Sequence, residues 1–307
     1  MRVSLKRLIV ATDFSDMADV AVHYGIRLAR EFGAKLYLCH VIPFSSTVAL
    51  GEAASGVLSQ HRHLMDEAHA RLGELMENVS VEWEPVVRVG NPAEEVARAT
   101  AEKKADLAVC ATHGRSGLKR LFLGSVAERL VRILPCPLLV VRPGVEGLAD
   151  WTEGSIRFRK VLLGSDFSPD SELAVSYALS LAQEFQSELH LVHVIEPPVY
   201  KNLLKPGKED EAELRRLRGL LKEKLPALVP EDARHWCTPV TALLAGQPYD
   251  ELTKYAVVNE IDLIVLGVRG HGLVESLFVG STTYRVIRQA PCPVLSVQPA
   301  TWNRQEG

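Results

Sequence analysis

Residues suited to holding a phosphate gather near the end of this 307-residue chain. Gly267-Val268-Arg269-Gly270 is followed, after nine intervening residues, by Gly280-Ser281-Thr282. An apolar run, 261–266, leads into the first glycines, and a helical pattern, 284–288, follows Ser281. Glycines at 267 and 270 let the backbone turn sharply and approach a ligand, because no Cβ intrudes. Gly280-Ser281 opens a helix whose unpaired N–H groups and positive dipole end favour an anion. Strand, glycine loop and helix N-terminus together make the plan of a phosphate cradle. A lone pair of glycines would read as an ordinary turn, and the spacing to Gly280-Ser281 argues against that. An altered copy lies upstream: Ala111, Gly114, Gly124 and Ser125 take the matching positions, and Arg115, Lys119 and Arg120 offer positive charge.

The elements that must position these loops come from a duplication of the chain. Residues 10–15 return as 163–168 and residues 38–43 as 191–196, both at an offset of 153. Leu134-Pro135-Cys136-Pro137 returns as Ala290-Pro291-Cys292-Pro293 at an offset of 156. Near-constant offsets mean near-identical element lengths, hence two homologous domains, 1–144 and 157–300. Pro-Gly and Glu-Gly pairs break the apolar pattern between them. Short β-branched runs predict strands at 7–11, 35–41, 81–89, 107–111 and 138–141. In the second copy they predict strands at 160–164, 188–194, 235–244, 261–266 and 294–297. After the first strand of each copy, Val20, Tyr24, Leu28 and Phe32, and then Leu173, Tyr177, Leu181 and Phe185, predict one apolar helix face. Ser168-Pro169 is a helix start, an N-cap followed by proline. Strands alternating with helices predict an α/β fold with a parallel sheet and helices on both faces. Ligands bind such sheets beyond the strand C-termini, where the strand order switches.

On these residues both halves resemble the universal stress protein family, over nearly the whole chain. The family carries an Asp after strand one, a Val ending strand two, and a loop G-x-x-G-x9-G-[ST]. Asp166, Val194, Gly267, Gly270, Gly280 and Ser281 match every position in the second half. Asp13, Val41, Gly114, Gly124 and Ser125 match in the first, with Ala111 in place of the first glycine. The resemblance implies two tandem doubly wound domains, each a five-stranded parallel sheet of order 3-2-1-4-5. It also implies ATP, with or without Mg, across the strand C-termini. Asp166 and the Val194 backbone would then face the adenine end, and Gly280, Ser281 and Thr282 the phosphates. It further implies a pseudo-twofold pairing of the domains through their fifth strands, and a homodimer.

The copies differ in ways that bear on binding. Ala111 adds a methyl, tolerated if φ is negative there and requiring the loop to shift if φ is positive. Ser125 to Glu128 reads as a capping box, a local task needing no ligand. Asp13 and Asp166 have a plainer reading as turn residues before a helix, and their place at the strand ends argues for the ligand role over it. Glu275 in the second loop would repel phosphate if it faced inward. The glycine pattern favours the second half and the charges the first. Backbone geometry is weighted more, because a clash cannot be screened away.

Other candidates are fewer. His61, His63 and His69 lack the three- or four-residue spacing a helical metal site needs. His40 and His193 read as satisfied strand-end histidines, and His113 and His271 flank the glycine loops. Cys136 and Cys292 read as small buried residues. The charged stretch 205–224 reads as a solvated helix with Leu214, Leu217, Leu220 and Leu221 inward. No GxxxxGK[ST] and no GxGxxG after the first strand occurs, and no nucleophile–base pair is spaced for catalysis. A net charge of −3 offers no global attraction to nucleic acid or anionic membrane. Five cysteines without a CxxC, and an N-terminus without a signal-peptide core, point to the cytoplasm. The expectation is a stress-responsive, ATP-dependent switch acting on a protein partner, with ATP chiefly in the C-terminal domain. The alternatives are a nucleotide-independent, chaperone-like interaction protein and, last, a slow ATPase.

Overall fold

Ser15 and Ser168 start the first helix of each half in the same way. Each has extended backbone, and its hydroxyl accepts from the amide three residues on, Ala18 or Ser171. That satisfies one of the four N–H groups a helix leaves unpaired at its start. The computed structural model describes residues 3–43, 54–112, 123–142, 156–196, 208–268 and 280–299, the side chains of 54–61 and 208–214 excepted. The chain divides into two compact units, 4–156 and 157–299.

The first unit runs β1 (Arg7–Thr12), α1 (Asp16–Phe32), β2 (Lys35–Pro43), α2 (Ala54–Leu75), β3 (Trp83–Gly90), α3 (Pro92–Glu102), β4 (Leu107–Ala111), α4 (Ser125–Ile133) and β5 (Leu138–Val141). Its strands lie in the order β3-β2-β1-β4-β5, all parallel. Crossovers through α1 and α2 run one way along the sheet and those through α3 and α4 the other. Right-handed connections therefore put the two pairs of helices on opposite faces. Leu8, Ile9 and Val10 of central β1 are fully buried, each worth about 1.5–3 kcal/mol of transfer energy.

The second unit repeats the plan with β6 (Lys160–Gly164), α5 (Pro169–Phe185), β7 (Glu188–Ile195), α6 (Lys208–Lys224), β8 (Val240–Ala245), α7 (Pro248–Val258), β9 (Leu263–Gly267), α8 (Ser281–Gln289) and β10 (Val294–Val297). Its strands lie in the order β8-β7-β6-β9-β10, also parallel, which is 3-2-1-4-5 by the unit's own count.

Three expectations change in detail. The strand predicted at 235–244 begins only at Val240. Ahead of it, Glu231–Ala233 forms a 3-10 turn, the amides of Trp236 and Cys237 fold back onto the Ala233 carbonyl, and Pro239 has no N–H for a ladder. On α6, Leu217 and Leu220 are exposed and Leu221 is buried, so the inward stripe is narrower than the leucine pattern suggests. On α1 and α5, the deepest positions are the small residues Ala21, Ala174 and Ala178, with Val20, Phe32, Leu173 and Tyr177 half-buried beside them. Small side chains let the helix close on the sheet, and the larger residues then wedge in along its flanks.

Candidate functional site

Strand order switches direction between β1 and β4, and a cavity of about 300 Å³ opens there in the first unit. It brings together Asp13, Val41, Gly124 and Ser125, with Ala111 and Thr112 between them. Gly114 lies outside the described residues. Ala111 is the last residue of β4 in extended backbone, so its methyl is accommodated and the positive-φ alternative does not arise. The Gly124 amide donates to the Thr112 carbonyl at 2.7 Å, which ties the start of α4 to the end of β4. Gly124, not Ser125, is the N-cap of α4, and no side chain caps that helix. The expected capping box therefore does not form: Ser125 stands inside the first turn, and Glu128 pairs with Arg132 at 2.9 Å. The first turn of α4 keeps its amide donors facing the cavity end, the arrangement that suits an anion. Cys39 and Cys110 stand in the cavity wall. Burial pushes both thiols up to about 12, so at neutral pH they are apolar wall and not nucleophiles.

Asp13 sits one residue beyond β1. Its Oδ1 accepts from the Ser15 amide at 3.1 Å and from the Ser15 hydroxyl at 2.6 Å. The turn role is therefore real, and it places the half-buried carboxylate at the cavity rim. Asp166 does the same in the second unit, accepting from the Ser168 amide at 3.0 Å.

In that unit Asp166, Val194, Gly267, Gly280, Ser281 and Thr282 belong to the C-terminal ends of β6, β7 and β9 and the start of α8. Arg269 and Gly270 lie outside the described residues, as do His113, His271, Arg115, Lys119, Arg120 and Glu275. The Gly280 amide donates to the Val268 carbonyl at 2.8 Å, and the Thr283 hydroxyl to the Gly267 carbonyl at 2.8 Å. Gly280 is the N-cap of α8, again without a side-chain cap. Gly267 is extended, and its lack of a side chain has a neighbour to explain it. A Cβ there would meet the Asp170 carbonyl carbon at 2.7 Å and the Ser171 nitrogen at 2.8 Å. The first turn of α5 thus lies directly on the end of β9. Hydroxyls hold it down: Ser171 Oγ lies 2.8 Å from Ser165 Oγ, both buried, and Ser165 Oγ also accepts from the Phe167 amide.

One feature of both units escaped the sequence reading. Phe14 and Phe167, each directly after the Asp, adopt a left-handed backbone with φ of 61°. For a bulky residue this costs about 1–3 kcal/mol and needs support from its surroundings. Support comes from stacking. The Phe14 ring centre is 4.2 Å from that of His40 and 4.4 Å from the Arg71 guanidinium carbon. Phe167 lies 5.0 Å from His193 and 4.2 Å from Lys224 Nζ. The histidines are anchored in turn: His40 Nδ1 is 2.9 Å from the Thr12 carbonyl and His193 Nδ1 is 2.7 Å from that of Ser165. A cation over an aromatic face contributes roughly 0.5–2 kcal/mol, enough to offset much of the strain. The repeat Asp-Phe-Ser was the available signal, but a left-handed phenylalanine has none in composition.

The universal stress protein family model matches residues 4–142 and again 157–298. A universal stress protein of Mycolicibacterium smegmatis is 29% identical over 308 residues, covering 95% of this chain and 97% of its own. One from Thermus aquaticus is 40% identical over 147 residues, 46% of this chain and 99% of its own. Among solved structures, a universal stress protein from Archaeoglobus fulgidus superposes with a TM-score of 0.67 at 20% identity, covering 95% of this chain and 98% of that one. The likeness in structure carries the fold, and the two family matches, which span both halves, carry the kinship. This chain belongs to the universal stress protein family, with two copies of the family's domain in tandem.

Proposed function

We propose that the protein binds ATP at the strand C-termini of both units and acts as a nucleotide-dependent switch in a stress response. The observation that carries this reading is the cavity at the β1/β4 switch point. Its apolar wall of Val41, Val96 and buried thiols suits a base, Asp13 at the rim suits an amino or ribose hydroxyl donor, and the uncapped start of α4 suits phosphate. The complete glycine pattern supports the second unit, where α8 begins in the same uncapped manner. The extended Ala111 removes the objection to the first. Magnesium, if it accompanies the nucleotide, would be held mainly by phosphate oxygens. Among the described residues no side chain is placed as a base toward a phosphate-bound water; the reading is a binder, located in the cytoplasm and assembling as a homodimer. Among the described residues no helix is long and apolar enough to cross a membrane.

Calorimetric titration with ATP tests this, together with nucleotide released from the purified protein. Two ATP per chain are expected, with Asp13→Ala and Asp166→Ala each removing one. One ATP per chain, lost on Asp166→Ala alone, would confine binding to the second unit. None at millimolar ATP would leave the second reading, a nucleotide-independent interaction protein. That reading draws on one observation: Gly267 is accounted for by helix packing alone.

A further inference from the structure

We propose that Arg71 and Lys224 are positioning residues, each holding the left-handed turn that presents Asp13 or Asp166 to the site; the inference rests on the nucleotide reading above. The observation behind it is a constellation repeated without drift. Phe14 and Phe167, His40 and His193, and Arg71 and Lys224 are all related by the same offset of 153. The third pair changes residue type and keeps its charge and its place over the ring. Much of the sequence around it differs: Arg71-Leu72-Gly73 in α2 stands against Lys224-Leu225-Pro226 at the end of α6. What persists is the following leucine, Leu72 or Leu225, buried in both units. That leucine anchors the helix end and fixes where the cation can reach.

The geometry explains how a remote cation acts on the rim. His40 and Arg71 both lie against the Phe14 ring, the imidazole centre 4.2 Å and the guanidinium carbon 4.4 Å from its centre. The imidazole is fixed to the strand through Thr12, and the cation adds a second contact on the ring. Clamping the ring keeps the φ of 61° populated, and the next residue's amide, that of Ser15, then donates to Asp13 Oδ1. In the second unit the corresponding chain is Lys224, Phe167, His193 and the Ser168 amide on Asp166 Oδ1. Release of the cation frees the turn, and the carboxylate swings with it. Neither cation needs to touch the nucleotide.

Arg71→Met and Lys224→Met keep side-chain length and remove the charge. Two readouts on the full-length protein decide the matter: amide hydrogen exchange at Ser15 and Ser168 by NMR, and ATP affinity by calorimetry. Arg71→Met is expected to speed exchange at Ser15 and weaken ATP in the first unit, each about tenfold, the size of a ring-face cation contribution. Ser168 and the second site stay as they were. Lys224→Met does the reverse, and Arg71→Lys and Lys224→Arg restore both readouts to within about twofold. Unchanged exchange with a lowered melting temperature would overturn the proposal, leaving the cations as packing. Faster exchange with unchanged ATP affinity would also overturn it, since the turn would then move without consequence for the site. If the wild-type protein binds no ATP, the nucleotide reading fails separately, and exchange at Ser15 and Ser168 still decides whether the cations hold the turn.

Discussion

The ends of β4 and β9 occupy the same place in two copies of one fold and are built in opposite ways. In the second unit, Gly267 and the Ser171–Ser165 hydroxyl pair let the first turn of α5 rest on the strand. In the first, Ala111 and Ala18 replace Gly267 and Ser171, and both line the cavity. A methyl stands on the strand where Gly267 has only hydrogen, and the helix start lacks the hydroxyl that Ser171 offers to Ser165. Read as a motif, Ala111 is a lost glycine. Read as packing, it is part of a cavity wall. After a duplication, the same substitution can therefore remove a signature and preserve a site.

Exchanging residues between the units is the strongest way to break this comparison. Gly267→Ala sets a Cβ against helix backbone, which cannot rotate away, and should destabilise the second unit by about 1–3 kcal/mol. Ala111→Gly removes a methyl that lines the cavity and should cost only about 0.5–1 kcal/mol through added backbone freedom. Denaturant unfolding of both variants measures the difference. Equal costs would show that the two strand ends are packed alike.

A smaller contrast lies at the other end of β7. His190 is buried against Tyr255, with Nδ1 2.9 Å from the hydroxyl and Nε2 2.7 Å from Glu188 Oε1. The matching residue in the first unit is Tyr37. Burial holds His190 below its ordinary 6.5, and Glu188 offsets this only in part. The folded state therefore favours the neutral ring while the unfolded chain takes up a proton near 6.5. The stability is complete above that pH and is lost as pH falls through the lowered folded value. Chemical denaturation across pH 5 to 8 should show the second unit weakening on the acid side, and His190→Gln should flatten that slope. A slope unchanged in the variant would assign it to other groups.

The smallest expected effect is at the C-termini of α1 and α5. Both helices end in the left-handed conformation, at Gly33 with φ 59° and at Gln186 with φ 53°. Gln186→Gly should stabilise the second unit by roughly 0.5 kcal/mol, the left-handed penalty less glycine's extra freedom when unfolded. Gly33→Gln should cost the first unit a similar amount, read from the shift in unfolding midpoint.

How much of this was legible in the sequence depends on the range of the interactions involved. β4, β5, β6 and β10 fall where their β-branched runs put them, because a central parallel strand is buried on both faces and reads as an unbroken apolar run. β8 is an edge strand, and Pro239 was the one sequence signal that its start lies later than His235; the turns ahead of it had none. Of the rim residues, Gly124 and Ser125 were found by spacing and Asp13 and Val41 through the family resemblance, each repeated by the duplication. The reason for Gly267 was not legible, since the helix backbone it accommodates is about a hundred residues away in sequence. The partners of Phe14 were equally hidden, brought together only by tertiary contact.

Burial of all five cysteines has a practical consequence. An alkylating reagent in solution meets no ready thiolate and reacts only when a unit opens. Cys39, Cys110 and Cys136 belong to the first unit, and Cys237 and Cys292 to the second. The protein thus carries its own set of internal clocks, and peptide-resolved labelling reads the opening rate of each half in a single tube, without any substitution to disturb the packing being timed.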